Sequence, residues 1–176
     1  MGVNGRGMQL AQGFNSVGGA EIAWLCDVDE RAMARALKAV SDKQARVPQG
    51  VKGFRHILDD KSVDALVIAA PDHWHAPATI LACAAGKHVY CEQPACHNPR
   101  EGELMVQAAR KNKRVVQLGT QRRSYPAIIE AIEKLKGGAV GRVIFARGWY
   151  NNTRASIGHG KAAPPFSFSM ASMMAG

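Results

Sequence analysis

Apolar and polar residues along this chain alternate between two rhythms. The run Val63-Asp64-Ala65-Leu66-Val67-Ile68-Ala69-Ala70 is apolar at nearly every position and stops at Pro71. Such a run predicts a strand covered on both faces, as in a parallel sheet. Shorter runs predict further strands over Glu21–Asp27, Lys87–Cys91 and Arg114–Leu118. Between them, apolar residues recur at helical spacing, which predicts helices over Gly7–Val17, Glu30–Lys43, Ala76–Ala85 and Pro99–Asn112. Gly86 closes the third of these helices, while Asn98 caps the fourth and Pro99 opens it. Gly50–Gly53 reads as a loop. Strands alternating with helices predict a doubly wound α/β fold.

The rhythm changes after Thr120. Pro126–Lys136 predicts a helix, with Gly137-Gly138 ending it. From Gly141 to Tyr150, Arg142 and Arg147 interrupt Val143, Ile144, Phe145 and Trp149, the pattern of an antiparallel strand with one wet face. The expected organisation is therefore an α/β domain over residues 1–121, the start of a second, α+β domain over 122–154, and an irregular tail over 155–176. Ala162–Gly176 carries no credible element and is expected to be poorly ordered.

With 176 residues and 47% hydrophobic composition, the chain can bury a real core. No apolar stretch reaches the roughly 18 residues of a membrane span, so no membrane partner is expected. The net charge of +9 suits an anionic ligand or a nucleic acid. The cations are scattered, however, and the Arg110–Arg114 cluster falls where a helix ends and its dipole favours positive charge. No nucleic-acid motif accompanies them, and no nucleic-acid partner is expected. Cys26, Cys83, Cys91 and Cys96 form no CxxC pair and read as small buried thiols in a reducing, cytoplasmic setting.

The candidate chemistry begins at Gly2-Val3-Asn4-Gly5-Arg6-Gly7, just before the first predicted helix. A glycine-rich turn brings backbone N–H groups to a helix start, where a pyrophosphate binds. Asn4 stands where the usual G-x-G-x-x-G spacing has its second glycine, with Gly5 beside it. Asp27, at the end of the next predicted strand, is placed to accept hydrogen bonds from a ribose; its alternative is a helix cap before Glu30. No arginine follows Asp27 directly, and a carboxylate repels a 2′-phosphate, so NAD is expected over NADP. Such a turn usually follows a buried strand. Only Met1 precedes it here, which suggests a chain lacking its first strand, with two strands left unpaired at their edges.

Three further polar segments follow strand ends, where ligands of open α/β sheets gather. The first is Ala70-Pro71-Asp72-His73-Trp74-His75, and the second is Tyr90-Cys91-Glu92-Gln93-Pro94-Ala95-Cys96-His97-Asn98-Pro99. The third is Gly119-Thr120-Gln121-Arg122-Arg123-Ser124. His73 and His75 have no obvious third ligand, so no metal is expected. Trp74 is expected to pack or to line a cofactor face.

Taken together, in this order and spacing, these segments resemble the Gfo/Idh/MocA family of NAD(P)-dependent oxidoreductases over Gly2 to about Asn152. Gly86-Lys87-His88-Val89-Tyr90-Cys91-Glu92-Gln93-Pro94 carries much of the likeness. The resemblance implies an N-terminal Rossmann domain and a C-terminal α/β domain that holds substrate and often an oligomer interface. It implies hydride transfer from a sugar, polyol or related hydroxy compound to NAD, although some relatives use NAD to cleave glycosides. Gly2, Asn4, Gly5, Arg6, Gly7, Asp27, Pro71, His73, His75 and Glu92 are then expected around the cofactor. Gln93, Gln121, Arg122 and Arg123 are expected near substrate. The family's Glu-Lys-Pro reads Glu92-Gln93-Pro94 here. A neutral carboxamide orients a hydroxyl but does not readily transfer a proton, a change worth on the order of 10²–10³ in rate. A binding module without turnover, or an inactive fragment, is the alternative. The family's C-terminal catalytic histidine has no assignable equivalent, since His159 lies in the tail.

Overall fold

The computed structural model describes residues 1–149. Five strands and six α-helices follow in order: α1 (Arg6–Ser16), β1 (Trp24–Cys26), α2 (Glu30–Ser41), β2 (Gln49–Val51), α3 (Arg55–Asp59), β3 (Ala65–Ile68), α4 (His75–Ala84), β4 (His88–Glu92), α5 (Pro99–Lys111), β5 (Val116–Gly119) and α6 (Pro126–Lys136). Short 3-10 turns at Asp72–Trp74 and Gln121–Ser124 follow β3 and β5. Every strand pairing is parallel, in the orders β1-β2 and β3-β4-β5.

Local chemistry explains where the helices start and stop. The Asp29 carboxylate accepts from the N–H groups of Arg31 and Ala32 and opens α2. Asn98 accepts from Glu101 N–H at 3.0 Å, with Pro99 in the first turn of α5. Gly86, at φ 81°, takes the left-handed conformation that ends α4.

Side chains alternate across the strands and feed two cores. Leu25 packs with Val3 and Ala11 and with Ala32, Met33, Ala36 and Val40 of α2. On the opposite face, Cys26, Leu66, Ile68, Val89 and Cys91 pack with Phe54, Ile57 and the α4 residues Ala78, Ala82 and Cys83. Helices thus cover both faces, as expected of a doubly wound sheet. Cys26, Cys83 and Cys91 are buried, and burial pushes the Cys91 thiol up to about 11.

Two differences from expectation concern elements. Gln49–Val51 is a strand rather than part of a loop. The antiparallel strand expected from Gly141 is absent among the described residues, which show no regular element from Gly141 to Trp149. Alternation alone does not make a strand, which also needs a paired edge. The chain divides into two compact units, Met1–Glu133 and Lys134–Gly176. The expected tail from 155 onward lies outside the described residues. Among the described residues no helix is long and apolar enough to cross a membrane.

Asp60 ties α3 to β1 and gives the fold a titratable fastening. Its Oδ2 accepts from the Trp24 indole at 2.8 Å, and its Oδ1 accepts from the Ser62 N–H at 2.8 Å and hydroxyl at 2.7 Å. The Trp24 bond first, and then those from Ser62, hold this carboxyl down at about 2. Because the folded value lies below the ordinary one, the stabilisation is complete above about pH 4 and is lost as pH falls toward 2. Trp24→Phe is therefore expected to destabilise the chain at neutral pH and to differ less from wild type at pH 2.5. Urea unfolding across that range measures the difference; a gap that does not narrow on acidification removes Asp60 from this role.

Candidate functional site

The parallel strands deliver their carboxyl ends to one edge, and the glycine turn sits at that edge. The turn's glycines do three different jobs. Gly2 has φ 74°, and a Cβ there would stand 2.7 Å from the Ala69 carbonyl oxygen, so the turn lies directly on the end of β3. A Cβ on Gly7 would lie 1.7 Å from the Gly2 carbonyl oxygen, so only glycine lets α1 close onto the turn. Gly5 has φ 50° and, among the described residues, nothing within 4 Å of its Cβ position, so the helix start is open to approach. Among the described residues no side chain caps α1, and no acid stands in its first turn. An open, uncapped helix start is a site for an anion.

Asp27 follows β1 and faces the same turn. Its Oδ2 accepts from Val3 N–H at 2.8 Å and its Oδ1 from Asp29 N–H at 3.0 Å. The cap of α2 is Asp29. Asp27 instead braces the glycine turn, and its remaining lone pairs are available to ligand hydroxyl groups. Asn4, in the position of the usual second glycine, accepts from Gly5 N–H at 3.1 Å and from the Arg35 guanidinium at 3.3 Å. Arg35 brings positive charge to the turn and was not singled out from sequence. The available signal was its spacing four residues beyond Arg31, which puts both on one face of α2.

Arg6 crosses from the turn to β4. Its Nη2 donates to Glu92 Oε1 at 3.0 Å, and the Tyr90 hydroxyl donates to the same oxygen at 3.3 Å. Burial, reinforced by the Glu92 charge, pushes the Tyr90 phenol up, so it stays a donor. Phe14 of α1 meets the Tyr90 ring edge-on at 5.5 Å. Gly119, at the end of β5, makes room for this carboxylate, since a Cβ there would be 2.6 Å from Glu92 Oε1. Next to the cluster, Gln93 and Pro94 are exposed and joined by a cis peptide bond. Gln121, Arg122 and Arg123 are exposed on the 3-10 turn after β5.

The His73/His75 pair divides. His73 is exposed in the 3-10 turn after β3, and Pro71 is exposed just before it. Trp74 packs edge-on against Phe54 at 6.1 Å. His75 is only 1% exposed. Its Nδ1 lies 2.5 Å from the Pro94 carbonyl oxygen and its Nε2 lies 2.8 Å from that of Ala70. Against the expectation of a ring turned to the cofactor, both His75 ring nitrogens face backbone carbonyls, and the ring pins the ends of β3 and β4 together. Among the described residues no group of three or more His, Cys, Asp and Glu is placed to hold a metal ion.

The edge thus combines an open helix start, a carboxylate beside it, a carboxamide and exposed guanidinium groups. These are recognition elements for a phosphorylated, polyhydroxylated ligand. The chain is 28% identical over 156 residues to inositol 2-dehydrogenase of Salmonella typhimurium, covering 86% of this chain and 45% of that protein. It is 36% identical over 118 residues to glycosyl hydrolase family 109 protein 2 of Shewanella sp. strain MR-4, covering 65% of this chain and 26% of that one. The fold matches the crystal structure of myo-inositol 2-dehydrogenase from Lactobacillus plantarum with a TM-score of 0.73 at 24% identity, covering 81% of this chain and 41% of that one. The chain spans less than half the length of each of these relatives. Residues 1–120 match the family described as "Oxidoreductase family, NAD-binding Rossmann fold", and the chain belongs to this Gfo/Idh/MocA family.

Proposed function

We propose that the chain binds a nicotinamide dinucleotide across this edge, NAD in preference to NADP. It would serve as the cofactor-holding part of an oxidoreductase acting on a sugar, polyol or related hydroxy compound. The observation that carries this reading is the uncapped start of α1, open at Gly5 and braced by Asp27. The residues fit the cofactor. The helix start takes the pyrophosphate, Asp27 takes the adenosine ribose, and Arg35 adds positive charge near the phosphates. Asp27 also disfavours a 2′-phosphate. When bound, NAD supplies the hydride acceptor.

The segment from Glu92 to Pro94 lies at the nicotinamide end in this reading. Gln93, exposed and neutral, orients a substrate hydroxyl by hydrogen bonding. Gln121, Arg122 and Arg123 contribute polar contacts to substrate from the end of β5. The name of the Salmonella relative supports a cyclic polyol as the substrate class. Gln93 also favours a second reading, a dinucleotide-binding module without turnover, because a carboxamide does not exchange a proton at the reacting hydroxyl.

Calorimetric titration of the purified chain with NAD and with NADP tests the cofactor reading. NAD is expected to saturate and NADP to bind more weakly. Asp27→Ala is expected to weaken NAD about 10–100-fold, the value of one or two hydrogen bonds to a charged group. Equal affinity for the two cofactors defeats the preference, and saturation by neither defeats the reading. Addition of a polyol to the NAD complex, followed by NADH absorbance, separates turnover from binding alone.

A further inference from the structure

The cluster of Arg6, Tyr90 and Glu92 joins two parts of the edge that are distant in sequence. Arg6 opens α1 and Glu92 closes β4, 86 positions apart, yet their side chains meet at 3.0 Å. The pair is sheltered. The Glu92 side chain is 14% exposed and that of Arg6 33%, against 48–79% in the pairs Lys38–Asp42, Arg46–Glu21, Lys52–Glu30 and Arg100–Glu103. Water therefore screens this pair less than those. The carboxylate is also held unevenly. Arg6 and Tyr90 both donate to Oε1, and among the described residues no donor reaches Oε2. Each donor is itself fixed by α1, since Arg6 Nη1 donates to Gln9 at 3.3 Å and Phe14 meets the Tyr90 ring edge-on. Gly119 completes the seat: a Cβ there would stand 2.6 Å from Glu92 Oε1 and 2.8 Å from the Tyr90 hydroxyl oxygen. The hydrogen bond to Glu92 pushes the Arg6 guanidinium up from its ordinary range, and burial pushes the Tyr90 phenol up, so both stay donors at neutral pH.

We propose that Arg6 and Tyr90 are positioning residues, which fix the Glu92 carboxylate so that the site holds oxidised NAD more tightly than NADH. The inference rests on the cofactor reading above, with the pyrophosphate at the start of α1 and the nicotinamide at Glu92–Pro94. Oxidised NAD carries charges of opposite sign at these two places: the pyrophosphate is anionic and the nicotinamide ring cationic. Hydride uptake leaves the first charge unchanged and cancels the second. The Arg6–Glu92 pair matches this order, with its cation at the helix start and its anion at the end of β4. Only the anion tells the two forms apart, and it does so best where water screens it least. With Oε1 committed to two donors, Oε2 is the oxygen left to face the ring. Once Oε1 is released, the carboxylate is free to turn toward solvent, where its charge is screened. Gln93, the next residue, is neutral and does not oppose the carboxylate. The guanidinium offsets part of its field, so Tyr90, which is neutral, separates the effect of position from that of charge. The expected preference is about tenfold, the size of one partly screened charge–charge interaction.

Calorimetric titration of the whole 176-residue chain with NAD, with NADH and with ADP-ribose, which lacks the nicotinamide, tests this. Wild type is expected to hold NAD about tenfold more tightly than NADH. Glu92→Gln is expected to bring the two within about twofold of each other, by weakening NAD relative to ADP-ribose. Tyr90→Phe keeps the ring and removes one bond to Oε1, and it is expected to cut the preference about threefold. Gly119→Ala presses the carboxylate out of its seat and should act in the same direction. Gln93→Lys sets a cation beside Glu92 and is expected to cancel most of the preference. Structural damage alone weakens all three ligands together and leaves their ratios unchanged. That result in both Glu92→Gln and Tyr90→Phe overturns the proposal, as does a preference lost in Glu92→Gln but untouched in Tyr90→Phe. Saturation by none of the ligands defeats the cofactor reading and the proposal with it. Binding of ADP-ribose with equal affinity for NAD and NADH defeats the proposal alone. Should Glu92→Gln fail to fold, Tyr90→Phe and the exposed substitution Gln93→Lys decide the matter.

Discussion

A Gly7→Ala variant will lose about 3 kcal/mol or more of stability, at or beyond the upper end of ordinary overpacking, and roughly 5–10 °C in Tm. The added methyl would lie 1.7 Å from the Gly2 carbonyl oxygen, a backbone atom held by the turn and by β3. No rotamer relieves the clash, because a Cβ has none. Either α1 tilts away from the turn, carrying Ala11 out of its core, or the turn leaves Ala69. Both movements spoil the anion site, so NAD binding should disappear along with the stability. Two companion substitutions make the comparison sharp. Gly5→Ala meets open space but sits at φ 50°, so it should cost about 1–2 kcal/mol through strain and still obstruct the cofactor. Gly13→Ala, inside α1 and also facing open space, should stabilise by about 0.5–1 kcal/mol. Thermal melts of the three variants read these effects directly. A Gly7→Ala chain as stable as wild type would mean that α1 does not close onto the turn as described.

The glycine turn was legible because its chemistry is local: small residues, a helix start and an acid at a strand end leave a pattern in sequence. The same is true of β3, β4 and α5, whose apolar runs and the Asn98-Pro99 cap mark them without reference to anything distant. β2 was not legible. Gln49-Gly50-Val51 has almost no strand character, and it is a strand because β1 offers an edge and α2 lies over it. Gly50 leaves room for that helix, since a Cβ there would be 3.2 Å from Met33 and from Leu37. The reverse happened after Gly141, where alternation is present and a partner edge is not among the described residues. Arg35 reaches Asn4 through tertiary packing of α2, which an exposed arginine on a helix does not advertise. Glu92 was picked out by position alone. Its partners Arg6 and Tyr90, and the room left by Gly119, appear only when two strand ends and the turn converge.

His75→Leu tests the least expected of these placements, and it should cost about 2–5 kcal/mol. Leucine nearly matches the ring in size, so little cavity arises. The loss comes from the carbonyls of Ala70 and Pro94, two part-buried groups that both lose the ring as partner, at about 1–3 kcal/mol each. The same ring sets the distance between two parts of the site, since Ala70 adjoins the Gly2 contact and Pro94 adjoins Gln93. His75→Leu should therefore weaken NAD binding even under conditions where the variant remains folded. His73→Leu, two residues away but exposed, should change stability by no more than about 0.5 kcal/mol. Urea unfolding with a shared m-value reports the stabilities, and calorimetry on the folded proteins reports the affinity. If His75→Leu loses stability and keeps full NAD affinity, the histidine is a core fastening only. If His73→Leu proves the more damaging of the two, the division of labour between these residues is the reverse of the one described. The contrast follows from local geometry: in a 3-10 turn running into α4, residues two apart lie on different faces, so a motif that looks like a pair in sequence puts one ring in solvent and the other in the core.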